Sequence, residues 1–146
     1  MLGAMKCLLA VLLLVLTPAL ACIAPSGTEP LLPGSAWTCT SLRGKAIEAG
    51  EGEGQGAPTL EFDGSGASGH AGVNRWFSRA VEIESGTGSL RIDGIGATRM
   101  AGPPERMELE RGFLLALEAV DGYRVERGQL QLLADDVVVM ELAPSR

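Results

Sequence analysis

The chain has 146 residues, with twelve Lys or Arg against eighteen Asp or Glu, a formal net charge of −6 and a single histidine. This acidic balance excludes a nucleic-acid partner, because phosphate contacts need clustered Lys and Arg. The length suits one domain around a single core once the N-terminal segment is set aside.

Residues 1–21 read as a secretory signal. Lys6 is their only charge, an apolar run covers residues 8–16, and Thr17-Pro18 and Ala19-Leu20-Ala21 follow. The run is too short to span a bilayer and ends in an A-x-A cleavage pattern. Cys22 comes next, which resembles a bacterial lipobox, although Ala19 stands where Leu is usual. Cys22 is therefore the expected lipidation site, and the membrane an expected partner through that anchor. Residues 22–33 hold Pro25, Pro30, Pro33 and Ser26-Gly27 without hydrophobic periodicity. They read as a tether, and the domain is expected over residues 34–143. If Cys22 carries lipid, Cys39 is a buried small apolar residue. If it does not, a Cys22–Cys39 disulfide is available in an oxidising compartment. No Cys-x-x-Cys or Cys/His cluster is present, so no metal and no other cofactor is expected.

Residues 37–42, after Gly34 and before Gly44, predict a first strand. The Gly/Glu alternation of residues 50–56 reads as a mobile hairpin loop; glutamates between its glycines repel phosphate. Thr59–Phe62 and Ala67–His70 predict two strands around an Asp63-Gly64-Ser65-Gly66 turn. Residues 79–84 and 90–92 alternate apolar and charged, so each is expected to bury one face. Pro103-Pro104 opens a helix, since proline is tolerated in the first turn. Leu109, Phe113, Ala116, Leu117 and Val120 form its core face, and Asp121-Gly122 stops it. Gly112 within it predicts close packing against the sheet. Glu105, Glu108 and Glu110 read as helix-start acids and a solvated flank. Residues 123–125, 130–132 and 137–142 predict the last strands, with Asp135-Asp136 in a turn and not a calcium loop. The fold class expected is mainly β (α+β): a small antiparallel sheet, curled or barrel-like, with one packed helix.

Two motifs carry more. One is Gly69-His70-Ala71-Gly72-Val73-Asn74-Arg75. The other is Ile95-Gly96-Ala97-Thr98-Arg99-Met100-Ala101-Gly102-Pro103-Pro104, which leads into a helix with Met107 and Glu110. Together they resemble the META/HslJ family of small bacterial envelope domains. That family shows a Gly-Cys-Asn loop, a Thr-Arg/Lys-Met-x-Cys segment and a Met-x-x-Glu helical step. The resemblance runs from Trp37 to Leu142. It implies the fold above, a place in the envelope, and Gly72, Asn74, Thr98, Arg99, Met100 and Glu110 as the motif's structural positions. Both family cysteines are replaced, by Val73 and Gly102. Where relatives carry both, the resemblance implies a disulfide, so Val73 and Gly102 are expected within roughly 7 Å of each other, the limit for such a bridge.

His70 could act as a base near neutral pH, with Ser68 on its face of the strand, but the sequence supplies no orienting carboxylate, and a structural His is expected. Asn74 is expected to bond backbone and fix its loop. Arg99 and Glu110 are expected in an ion pair or a loop-clamping bond. Of Trp76 and Phe77, one ring should face the core and one solvent. The Asn74, Arg75, Trp76, Phe77 loop is thus the candidate contact surface. No catalytic set can be read off. The resemblance implies a non-enzymatic protein secreted across the inner membrane and lipid-anchored on the periplasmic side, associated with heat or envelope stress or antibiotic tolerance. The alternative is a module binding an envelope protein or small ligand through that loop.

Overall fold

The computed structural model describes residues 34–48 and 56–145. The expected signal, the tether, Cys22 and most of the Gly/Glu loop lie outside the described residues. The elements are β1 (Ala36–Leu42), β2 (Lys45–Ala46), β3 (Thr59–Phe62), β4 (Ala67–His70), β5 (Arg75–Ser78), β6 (Ala80–Glu84), β7 (Ser89–Asp93), β8 (Gly96–Ala97), α1 (Pro104–Glu118), β9 (Gly122–Glu126), β10 (Gln129–Ala134) and β11 (Val137–Pro144). The paired strands of the described residues run antiparallel. The fold is mainly β, a curled barrel-like half-shell with one helix, as the periodicity predicts.

Turn chemistry sets much of the sheet. Arg43-Gly44, Arg127-Gly128 and Asp135-Asp136 all take positive φ. Each lies between directly paired residues: Leu42 with Lys45, Glu126 with Gln129, and Ala134 with Val137. A two-residue turn with both residues left-handed matches the native strand twist and so holds the register of each hairpin.

One long hairpin decides the shape. In β5 and β8, Phe77 pairs with Gly96; in β6 and β7, Ala80 pairs with Asp93. The register runs through without a slip, so β5–β6 and β8–β7 are two halves of one hairpin. It folds over at Arg79 and Gly94, where Gly94 has φ +63. At the corner the Ser78 hydroxyl bonds the Asp93 carbonyl at 2.5 Å and accepts from the Ala80 N–H at 3.1 Å. The inward side chains change there, from Trp76 and Ser78 to Leu90 and Ile92. The near half pairs with β4, while the far half meets β9 through Ser89 and Gly122. The two ends of the curled sheet are therefore consecutive stretches of the same hairpin.

The core inside the shell holds Leu60, Phe62, Trp76, Leu90, Phe113, Leu117, Leu130, Leu132, Met140 and Leu142. Trp76 and Phe113 meet edge-on, with centroids 6.1 Å apart and planes at 64°, a favoured aromatic arrangement. Gly112 brings α1 close to β1: a Cβ there would stand 3.3 Å from Leu42 Cδ2. Cys39 is wholly buried, and its thiol donates to the Ser41 carbonyl at 3.3 Å. Burial pushes that thiol up to about 12.

Several expectations change. The helix ends at Glu118, earlier than the Asp121-Gly122 stop, and Val120 is buried beyond it. Leu109 is only half-buried, while Glu110 is buried among the core-facing positions. The solvated flank therefore excludes Glu110. Residues 79–84 do not bury a full face: β6 is an edge strand, with Val81 half-buried and Ile83 36% exposed. Arg75 to Phe77 are strand, not loop, and β2 and β8 are short strands not anticipated.

Candidate functional site

The polar centre of the molecule joins the β4–β5 turn, the segment after β8 and helix α1. The turn closes with the Ala71 N–H on the Asn74 carbonyl at 2.8 Å. Gly72 sits at φ +142, and a Cβ there would come within 3.1 Å of the Arg106 carbonyl. Only glycine meets both conditions, a left-handed backbone and close contact with the first turn of the helix.

This turn points its amides at the helix. Glu110 Oε2 accepts from the N–H of Val73 at 3.0 Å and of Asn74 at 2.6 Å. Glu110 Oε1 accepts from Asn74 Nδ2 at 2.9 Å. The same Nδ2 donates to the Met100 carbonyl at 3.1 Å. Asn74 Oδ1 accepts from the Met100 N–H at 2.7 Å and the Thr98 hydroxyl at 2.9 Å. Thr98 Oγ1 also accepts from the Arg75 N–H at 3.2 Å. Asn74 is 1% exposed and Glu110 7%, so a carboxylate and an amide are held in the interior by mutual satisfaction. Hydrogen bonds to a charged group are worth about 1.5–3 kcal/mol each, and a buried donor left unpaired costs a similar amount. The arrangement clamps three chain segments together.

The expected motif positions divide by role. Gly72, Asn74, Thr98 and Glu110 form the clamp, and Met100 joins it by its backbone while its side chain is 57% exposed. Arg99 is exposed, and no ion pair links it to Glu110 among the described residues, whose ion pairs are Arg91–Asp93 and Arg124–Glu126. The loop-clamping bond belongs to Glu110 and Asn74; Arg99 has no part in it.

The candidate contact residues also divide. Asn74 and Trp76 are buried, the latter with its indole N–H on the Thr59 carbonyl at 3.0 Å. They are therefore not available to a partner at the surface. Arg75 is exposed and Phe77 is 52% exposed.

Val73 and Gly102 lie in contact. A Cβ on Gly102 would stand 3.3 Å from Val73 Cβ and 2.6 Å from its Cγ2. Val73 thus occupies the space beside Gly102, and that glycine is not in the left-handed region.

His70 is half-buried, and its Nδ1 accepts from the Gly72 N–H at 3.3 Å. Its hydrogen bonds among the described residues include neither Ser68 nor a carboxylate. Three or more His, Cys, Asp or Glu placed to hold a metal do not occur among those residues. A surface depression of about 640 Å³ lies by Gly88, Asp121, Tyr123, Asp135 and Asp136. There the Asp121 carboxylate accepts from the Asp135 N–H at 2.9 Å and braces the β10–β11 turn. Sequence reasoning missed the burial of Glu110 and the seat of the Phe77 ring, whose tip would lie 2.8 Å from a Cβ on its register partner Gly96. The Gly96 opposite an aromatic was the available signal for the second.

The META domain family model matches residues 30–146, and the chain belongs to that family. Among solved structures, the NMR structure of a protein from Burkholderia xenovorans is 26% identical, with a TM-score of 0.62 over 83% of this chain and 88% of that one. A second NMR structure, 20% identical with a TM-score of 0.58, covers 77% of this chain and 90% of its own and shares the fold. No curated protein matches the chain.

Proposed function

We propose that this META domain is a secreted, lipid-anchored and non-enzymatic protein of the bacterial cell envelope, with a role in heat or envelope stress or antibiotic tolerance. The observation that carries the non-enzymatic reading is the commitment of Asn74, Thr98 and Glu110 to one another and to backbone. The motif's polar groups are occupied in holding the fold. A lipid on Cys22 is the reading of the A-x-A-Cys step. Intact-mass analysis of membrane fractions tests it, with an N-terminal Cys22 carrying lipid as the expected result. A soluble mature chain with an unmodified Cys22 would remove the anchor and leave secretion standing.

A second reading, a module that binds an envelope partner, is favoured by a specific observation. Phe77 is half exposed on a regular strand beside the exposed Arg75. Asn74 and Trp76 support that strand from within, and Arg75 and Phe77 would make the contact.

A further inference from the structure

The outward side of α1 is apolar where a helix packed on one face would carry only polar groups. Phe113, Ala116 and Leu117 point into the core and are buried. Leu115 is 51% exposed, and Met107 and Leu114 are half-buried. Positions 107, 111 and 115 form one row at four-residue spacing, and positions 110, 114 and 118 form the next. An open hollow of about 340 Å³ lies along these rows, lined among the described residues by α1 alone: Met107, Glu110, Arg111, Leu114, Leu115 and Glu118. One exposed leucine is ordinary at a protein surface. Three apolar side chains around one hollow, rimmed by charge, are a packing surface that lacks its second half.

The charges of this face are arranged about its centre. Arg111 and Glu118 are both exposed and in no ion pair among the described residues. They lie about 10 Å apart along the helix axis, on the same side of it. The midpoint between positions 111 and 118 falls between Leu114 and Leu115. A twofold axis through that point, normal to the helix, sets Arg111 of one copy opposite Glu118 of the other, twice, and brings the leucines together. An isologous interface needs such self-complementarity, with each contact made in both directions. Rows at four-residue spacing are also the ridges between which a second helix lays its own. The other charges of α1 do not oppose this. Glu110 is held by the Val73 and Asn74 amides and the Asn74 side chain. Arg106 donates to the Gly56 carbonyl. Glu105 and Glu108 stand nearer the start of the helix, where two crossed helices have diverged.

We propose that the outward side of α1 binds a second copy of this chain. The two helices cross antiparallel, with Leu114 and Leu115 of both copies at the centre and Arg111 of each beside Glu118 of the other. Six residues line the hollow, against the roughly 20–30 that each partner gives to a standard interface. The association is therefore weak, and micromolar to millimolar protein is the range in which to read it. Sedimentation of the mature full chain, made without lipid and held in reductant so that Cys22 cannot bridge copies, tests it. A reversible dimer is expected. Leu115→Ser, which changes no charge, should raise the dimer Kd about tenfold. Arg111→Glu and Glu118→Arg should each weaken it by about tenfold or more, because like charges then meet twice. An equimolar mixture of those two variants should dimerise about as tightly as wild type, since every contact in the mixed pair again joins opposite charges. A merely structural role for either residue would not restore association on mixing. The proposal is overturned if wild type stays monomeric at millimolar concentration, if Leu115→Ser leaves the dimer unchanged, or if the mixture associates no better than its components. The substituted positions are exposed, and matching melting curves will show that the variants are folded. Should a charge variant fail to fold, Leu115→Ser decides alone. A monomeric chain overturns this inference and leaves both readings of function standing.

Discussion

The near and far halves of the long hairpin share a register and a chain direction, yet they are held in different ways. In the near half, β5 lies between β4 and β8, buries Trp76, and continues from a turn clamped by Glu110 and Asn74. In the far half, β6 pairs only with β7 and exposes most of its residues, while β7 buries Leu90 and Ile92. Strand pairing alone therefore does not determine how firmly a segment is held. Buried polar groups with several partners make the near half cooperative with the core, and an edge with half-buried side chains leaves the far half free to open locally.

The largest expected effect is on the clamp. Glu110→Ala removes the acceptor of three N–H bonds and should cost roughly 3 kcal/mol or more. For a domain of this size that lowers Tm by more than about 10 °C. It replaces the smaller effect, about 1 kcal/mol, expected of a partly exposed pair with Arg99. Ile83→Ala in the far half should cost less than about 1 kcal/mol. Equal losses at the two positions in thermal or urea melts would erase the contrast.

A second experiment strengthens the near half. Val73→Cys with Gly102→Cys should form a disulfide in air and raise stability by about 2–4 kcal/mol over its reduced form. Gly102→Ala alone should lower stability, because its new methyl meets the Val73 side chain and overpacking costs about 1–3 kcal/mol. Mass spectrometry with and without reductant checks the bridge. If the double variant stays reduced, the two backbones are farther apart in solution than their contact here.

Hydrogen exchange reads the contrast without a mutation. Amides of β6 should exchange faster than those of β5, with the change at the Ser78–Arg79 corner, and Glu110→Ala should narrow the difference. Uniform protection along the hairpin would contradict the two-part description.

A further effect concerns a group that belongs to neither half. The buried Cys39 thiol, pushed up to about 12, holds its proton in the folded chain where an unfolded chain would release it. The folded state thus binds more protons between the ordinary thiol value of 9.0 and about 12, so stability should fall as pH rises through that window. Melts from pH 8 to 11 should show less decline in Cys39→Ala than in wild type, with the order of the two halves unchanged.

Period-two alternation and glycine turns made most strands legible in the sequence, and Thr59–Phe62 and Ala67–His70 match residue for residue. The far half misled because alternation reports which residues could face a core, not whether a neighbouring strand covers them. Glu110 misled for a related reason. Its charge predicts solvent, and only the turn that brings the Val73 and Asn74 amides to it, across most of a strand-rich segment, makes burial tolerable. The family motif did mark Asn74, Thr98 and Glu110 as a group, but their partnership is a property of three separate segments meeting. Trp76 and Phe77 were separable by strand alternation alone.

The strand order has a kinetic consequence. β1 lies between β3 and β11, with Trp37 opposite Pro144 and Cys39 opposite Leu142. The first strand of the domain thus waits for its last before that side of the shell can form. Such non-local pairing makes folding slow relative to helical domains of similar size. It also means that a chain still emerging from a ribosome cannot complete this sheet until residues 137–144 are clear, so that side of the shell stays open until the end of the domain has been made.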